Sequence, residues 1–253
     1  PLSWESRVYI STSDELSAFC ERIGNEPVIA VDTEFLRERT YYPKLCLVQV
    51  GTPTEIGAID PILIEDLSPL AHIFADERVT KVFHACGQDL EVILDGMGVT
   101  CTSVFDTQVA AAFLGMRQQV SYASLVEVYA GVRLPKAESL TDWSRRPLTP
   151  QQVEYAIDDV RYLIDAYRVI ESKLHSLGRT AWVRDEIRPL ADPAHYRSDP
   201  RSAFKRVKRV NSCTRRQLAV ARELAAWREQ RAETRDIPRK WIMSDEVLLA
   251  LCK

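Results

Sequence analysis

No stretch of the sequence is apolar over the length that a bilayer-spanning helix needs. No basic segment followed by an apolar core opens it, so nothing points to secretion and the expected location is the cytoplasm. The first residue is Pro1 rather than Met, which reads as a trimmed chain. Histidine is scarce: the four are scattered without H-x-x-x-H spacing, which argues against a zinc hydrolase. The six cysteines (Cys20, Cys46, Cys86, Cys101, Cys213 and Cys252) form no C-x-x-C pair and sit mostly in apolar runs. They read as reduced core residues, not as a disulfide frame or a zinc site. No low-complexity tract is present, which argues against extended disorder. What remains is an ordinary globular composition, 46% apolar and 27% charged. Its 253 residues leave room for one large domain and a small one.

The net charge of −3 is unevenly spread. Residues 197–216 hold eight Arg or Lys against one acid, Asp199, and residues 217–253 hold seven basic against six acidic residues. The first 196 residues therefore carry a net −11. An acidic body beside a basic segment suits a cation-loaded site next to a patch that binds a polyanion. A solvated basic linker with no partner fits the same charges.

The chain is organised around Val28-Ile29-Ala30-Val31-Asp32-Thr33-Glu34. Four apolar residues running into two acids read as a strand buried on both faces. Residues i and i+2 of a strand share a side, so Asp32 and Glu34 leave its end together. Either both acids are hydrated at the strand end, or a bound cation makes the pair favourable. Before this strand, residues 7–10 read as a first strand, and Thr12 with Glu15 gives a capping box for a helix over 13–23. After it, residues 35–44 read as a polar turn. Strands over 45–50 and 55–59 then complete an antiparallel meander. A helix over 66–75, a strand over 81–85, a helix from Gln88 ending at Gly96 or Gly98, a short strand at 104–105, and helices over 107–114 and 124–129 follow. This alternation predicts a mixed sheet covered on both faces. Thr149-Pro150-Gln151-Gln152 is a strong helix start. The apolar stripe Val153, Ala156, Ile157, Val160, Ile164 and Tyr167 predicts one long helix reaching Leu177. Residues 189–200, with three prolines, read as a linker, and 214–231 and 244–251 read as helices.

Two further acids follow buried elements. Asp89 falls in the first turn of its helix, where a carboxylate is favoured by the helix dipole. Asp159 lies four residues after Tyr155, on the same helical face and close to the apolar stripe. An acid on the inner edge of a helix needs a partner or a cation. Hard divalent cations take oxygen ligands, and four carboxylates holding two ions are the equipment for in-line phosphodiester hydrolysis. A tyrosine beside them is too weak an acid to serve as a base at neutral pH, and can instead orient water.

D-x-E at a strand end, F-H-x-x-x-x-D-L, and Y-x-x-x-D on a late helix together resemble the DEDD exonucleases of the Tyr-containing branch, and more finely the bacterial ribonuclease D group. The matching stretches are Val31–Phe35, Thr40–Pro43, Ile59-Asp60-Pro61, His84-Ala85, Asp89–Val92, Asp142-Trp143 and Arg146-Pro147-Leu148, in order over about residues 28–170. The resemblance implies a ribonuclease-H-like α/β fold, with a mixed β-sheet flanked by helices and a small, partial all-α domain after it. It implies Asp32, Glu34, Asp89 and Asp159 as ligands of two Mg²⁺ or Mn²⁺ ions, with Tyr155 as the fifth active-site residue. It also implies 3′→5′ release of nucleoside 5′-monophosphates from single-stranded RNA 3′ ends, tRNA precursors among them, with no membrane partner and no further small-molecule cofactor. The C-terminal part, from Arg215-Arg216-Gln217-Leu218 to Pro238, resembles the first half of an HRDC domain. The expected division is an exonuclease domain over 1–185, a basic linker over 186–210, and a partial HRDC-like domain over 211–253.

Other residues have two readings. Phe35, Tyr41 and Tyr42 either stack on the terminal base or pack within their loop. Lys136, Arg145 and Arg146 either touch phosphates or are solvated, and Lys205, Arg206, Lys208 and Arg209 either grip the RNA backbone or decorate a linker. His84 reads as a satisfied core histidine, Asp106 as a helix cap, Asp158 as solvated or structural, and Trp227 as core. A DNA exonuclease of the proofreading or helicase-associated kind, and a non-catalytic nucleic-acid-binding module, are the competing functions. The intact set of five site residues weighs against the second.

Overall fold

A computed structural model of the protein describes residues 7–134, 141–197 and 199–253. These fall into two compact units, one comprising the described residues up to Leu36 together with Leu45–Pro193, the other Arg37–Lys44 with Ala194–Lys253.

The first unit is built on a sheet of β1 (Arg7–Ile10), β2 (Val28–Leu36), β3 (Lys44–Gly51), β4 (Ile56–Ile59), β5 (Thr80–Phe83) and β6 (Val104–Asp106), in the spatial order β1-β4-β3-β2-β5-β6. It is mixed, as expected: β1 pairs parallel with β4, β3 antiparallel with β4, and β5 parallel with both β2 and β6. Ile29, Ala30 and Val31 of β2 are fully buried, which is why this strand reads as a continuous apolar run.

Helices cover both faces. On one side lies α1 (Ser13–Ile23), started by the Thr12–Glu15 capping box. Its Phe19 ring lies over Gly57, where a Cβ would come within 2.7 Å of the ring, so β4 needs glycine there. On the other side, α6 (Pro150–Arg161) and α7 (Leu163–Ser176) bring Ile157, Val160, Leu163 and Ile164 against Ala30, Ile56 and Val82. The single long helix expected over 150–177 is broken at Tyr162. Neither proline nor glycine marks the break. With Leu163 and Ile164 both buried in the same cluster as Ile157 and Val160, the chain re-aims to keep its apolar stripe on the sheet.

The remaining helices are α2 (Ser68–Ala75), α3 (Gly87–Met97), α4 (Thr107–Ala112), α5 (Tyr122–Tyr129) and α8 (Thr180–Ile187). α3 stops at Gly98, whose φ of +66° gives the left-handed cap that glycine adopts without strain. α8 has no counterpart in the sequence reading; its Val183 and Ile187 join Ala110, Leu125 and Ile170 in a second core. The six cysteines are free, and all but the half-buried Cys213 are buried.

The second unit is organised by α9 (Arg215–Arg235), with α10 (Arg239–Ile242) and α11 (Asp245–Leu251). Ala221 and Ala225 of α9 pack with Ala203, Val207, Val210, Leu248 and Cys252. Residues 200–206, expected in the basic linker, are a 3₁₀ turn that supplies part of this core, as does the 3₁₀ turn at 210–212. Trp227 is not core: it is 47% exposed, because α9 turns its alanine stripe inward and Trp227 lies off that stripe. Arg228 is buried instead, donating to the Met243 carbonyl and to Asp245.

Candidate active site

The site lies on the second half of β2 rather than at its end, because the strand runs on through Phe35 to Leu36. Asp32 and Glu34 leave the strand on one side, and α6 crosses it to deliver Asp159. One carboxylate oxygen from each of Asp32, Glu34 and Asp159 lies within 4.8 Å of the others. These three acids, with His84, Tyr122, Tyr155 and Leu163, line a cleft. Tyr155 is hydrogen-bonded to Asp159, one helical turn on, and keeps 36% of its surface exposed.

Asp89 lies outside that tight group. In the first turn of α3, its Oδ1 accepts a 2.5 Å hydrogen bond from the hydroxyl of Thr33. Thr33 sits between Asp32 and Glu34 in β2, so its side chain leaves the strand on the opposite side. The four carboxyls still interact: the charges of Asp89 and Asp159 both disfavour ionisation of Asp32 and Glu34.

The turn that launches α3 is fixed by Asp106, a buried acid. Its Oδ1 accepts from the backbone N–H of Ala85, Gln108 and Val109, and its Oδ2 from Cys86. Asp106 is thus the helix cap expected for α4, and its hydrogen bonds to Ala85 and Cys86 tie it to the start of α3 as well.

The electrostatics show what the cleft accepts. Burial first, then neighbouring acids, raise Asp32 well above the carboxylate range and Glu34 to about 8. Burial raises Asp89 to about 7 against the Thr33 hydrogen bond, and burial followed by the charge of Asp158 raises Asp159 to about 7. Burial and the surrounding acids also push Tyr155 up, so its hydroxyl keeps its proton at neutral pH. Crowded acids at this disadvantage suit a hard divalent cation with oxygen ligands. Asp32, Glu34 and Asp159 could hold one directly.

A carboxyl raised on folding adds stability that is complete below its unfolded value near 4 and is lost as pH rises through its folded value. The metal-free protein should therefore lose on the order of 2 kcal/mol or more between pH 5 and 8. Bound Mg²⁺ or Mn²⁺ should reverse the loss, raising the melting temperature more at pH 8 than at pH 5. His84, lowered by burial, acts in the opposite sense at acid pH, so Asp159→Asn is the control that isolates the acids. Melting curves in chelator and in metal that stay parallel across pH would refute the linkage.

Phe35 belongs to β2, which runs to Leu36, and not to the turn after it. Tyr41 and Tyr42 form an edge-to-face pair within the second unit and donate their hydroxyls to Glu229 and Glu233, and their backbone N–H groups to Asp236. Their hydroxyls and backbone N–H groups are thus committed to three acids of the same unit. The Arg146 guanidinium is spent on the buried Asp60 and on main-chain carbonyls. Arg145 is exposed and pairs with Asp142, and Lys136 lies outside the described residues. Arg206 pairs with Glu229, whereas Lys205, Lys208 and Arg209 are exposed. Asp158 pairs with Arg161. His84 is hydrogen-bonded to Thr107 and to the Val120 carbonyl, as a core histidine would be, yet lines the cleft. Sequence reasoning missed Tyr122, which also lines the cleft and donates to the Asp158 carbonyl. It opens α5, one residue after the cap Ser121, and no spacing links it to the acids.

A mixed sheet covered by helices, with an acidic cleft on its central strand, defines a protein of the ribonuclease-H-like exonuclease class. A family model described as 3′-5′ exonuclease matches residues 7–175, and one described as HRDC domain matches residues 217–253. The chain belongs to the 3′-5′ exonuclease family, in its ribonuclease D group. It is 45% identical over 245 residues to ribonuclease D of Acidiphilium cryptum, and 46% identical over 241 residues to that of Sphingobium indicum. These alignments cover 96% and 94% of this chain but 62% of each relative, so the chain spans just over three-fifths of their length. Among solved structures, Escherichia coli RNase D superposes with a TM-score of 0.91 at 38% identity, covering 97% of this chain and 66% of that one. The catalytic core of RRP6 from Trypanosoma brucei gives 0.78 at 27% identity, covering 99% and 71%.

Proposed function

We propose that the protein is a metal-dependent 3′→5′ exoribonuclease that releases nucleoside 5′-monophosphates from single-stranded RNA 3′ ends, with tRNA precursors among its substrates. The observation that carries this reading is the convergence of Asp32, Glu34 and Asp159 within 4.8 Å, with the Tyr155 hydroxyl beside them. The solved E. coli relative is described as an exoribonuclease involved in structured RNA processing, which supports RNA as the substrate.

Asp32, Glu34 and Asp159 would hold divalent cations, two in the full site with Asp89, and Mg²⁺ and Mn²⁺ both suit the oxygen donors. When bound, such ions supply activation of a water and neutralisation of phosphate charge. Tyr155, protonated and hydrogen-bonded to Asp159, orients the attacking water. Asp89, held by the Thr33 hydroxyl through Oδ1, would complete that four-carboxylate set. His84, Tyr122 and Leu163 line the same cleft and would border the bound RNA end.

The test is a timed digestion of 5′-labelled RNA bearing a 3′ hydroxyl, in Mg²⁺, in Mn²⁺ and in chelator, beside a matched DNA strand. A metal-dependent ladder shortening one nucleotide at a time is expected. No cleavage by folded protein would refute the reading, and faster cleavage of DNA would overturn the substrate class.

The exposed cations Lys205, Lys208 and Arg209 of the basic segment are candidates for backbone contacts. Replacing all three by Gln should reduce the dependence of log affinity on log salt by about 2, since each single-strand phosphate contact contributes roughly 0.7. Titrations of labelled RNA at several salt concentrations measure the slope; an unaltered slope excludes these contacts.

A further inference from the structure

Three of the resemblance motifs, around Asp60, Trp143 and Arg146, have no part in the chemistry above, yet the structure joins them. Asp60 follows β4 and has no exposed surface. It accepts hydrogen bonds from Arg146 Nε and Nη2, from the Tyr9 hydroxyl and from the Ile62 backbone. Arg146 Nη2 also donates to the Cys46 carbonyl of β3, at 2.7 Å. Its Nη1 donates backwards along its own loop, to the carbonyls of Trp143 and Arg145 at 2.7 and 2.8 Å. One planar, five-donor group thus fastens the 143–146 turn to two strands.

The turn seats Trp143, which is 7% exposed and packs with Cys46, Leu47, Ala58 and Ala156. Its indole lies 6.1 Å from the ring of Tyr155, tilted by 33°. That spacing is within the range of interacting aromatic pairs. Tyr155 is more than a third exposed and needs a wall to hold its ring in one orientation.

We propose that Trp143 is a positioning residue for Tyr155, and that Asp60 and Arg146 act through it. The indole forms a fixed side to the Tyr155 ring, so that the hydroxyl stays on Asp159 and on the water it orients. Trp143 itself touches neither substrate nor metal. This inference rests on the exoribonuclease reading, in which Tyr155 orients water.

The decisive experiment is a double-substitution cycle with steady-state kinetics on RNA. Trp143→Leu, which keeps the apolar packing but removes the ring, should lower kcat by about 10- to 100-fold, as expected for a misplaced orienting group, with KM changed less than about 3-fold. Trp143→Phe should recover most of the loss. In a Tyr155→Phe background the same Trp143→Leu substitution should change kcat by less than about 3-fold, because the hydroxyl it positions is gone. Equal losses in both backgrounds, or a loss confined to KM, would overturn the proposal. A second measurement does not depend on activity. 3-Fluorotyrosine placed at position 155 of the full chain should give one narrow fluorine resonance, shifted and broadened by Trp143→Leu and by Arg146→Lys. A resonance unmoved by either would overturn the proposal. A wild-type protein that hydrolyses no RNA would refute the functional reading, and the fluorine line would still decide the role of Trp143. Should Trp143→Leu fail to fold, Trp143→Phe and the Arg146→Lys resonance carry the same decision.

Discussion

Asp159→Asn is expected to slow hydrolysis of RNA by about three orders of magnitude or more, while the protein remains folded and still binds RNA. A thousandfold loss corresponds to about 4 kcal/mol of transition-state stabilisation, the scale on which a cation contributes. Asparagine keeps the shape and one oxygen but removes the charge, so the cluster of acids within 4.8 Å loses one of its three members. It also removes the carboxylate to which Tyr155 is bonded. Folding should not suffer, because the acids already repel one another without a cation and removing one relieves the rest. Single-turnover hydrolysis with RNA-binding and melting measurements on the same sample checks this. A variant with near-normal turnover would show that Asp159 is not a ligand.

Arg146→Ala is expected to cost about 3–5 kcal/mol of stability, the range found when a buried ion pair loses one partner. Asp60 would be left wholly buried, with the Tyr9 hydroxyl and one backbone N–H against its charge. Cys46, Trp143 and Arg145 would each lose a donor to a main-chain carbonyl. Arg145→Ala, one residue away, should cost less than about 1 kcal/mol, since its pair with Asp142 is exposed. Chemical denaturation of both variants, read at the same ionic strength, makes the comparison. Equal losses would mean that Asp60 has found another partner or water.

These two neighbours show which parts were legible in the sequence. The apolar run into Asp32 and Glu34, the capping boxes at Thr12 and Thr149, and the Tyr155–Asp159 spacing are local patterns, and local patterns fix strands, helix starts and shared faces. Whether an arginine faces solvent or a buried acid 86 residues earlier in the chain is decided by tertiary packing, so Arg145 and Arg146 looked alike. The partners of Tyr41 and Tyr42 were hidden for the same reason: they lie nearly 200 residues downstream. The break at Tyr162 has no local signal, because it comes from the sheet that the helix must follow. Trp227 looked like core because the sequence gives no means of telling which stripe of α9 would turn inward.

The Thr33–Asp89 hydrogen bond has a consequence for tolerance to length changes. Both sides of β2 serve one centre: two acids face the cleft, and the hydroxyl between them holds a third acid from behind. Gaining or losing a single residue in the strand just before Asp32 would exchange the two sides for all three groups. It would bury two carboxylates against α3 and turn a hydroxyl toward the cleft. Insertions and deletions are therefore forbidden in this strand, and variation in length must be taken up in segments that carry none of these groups.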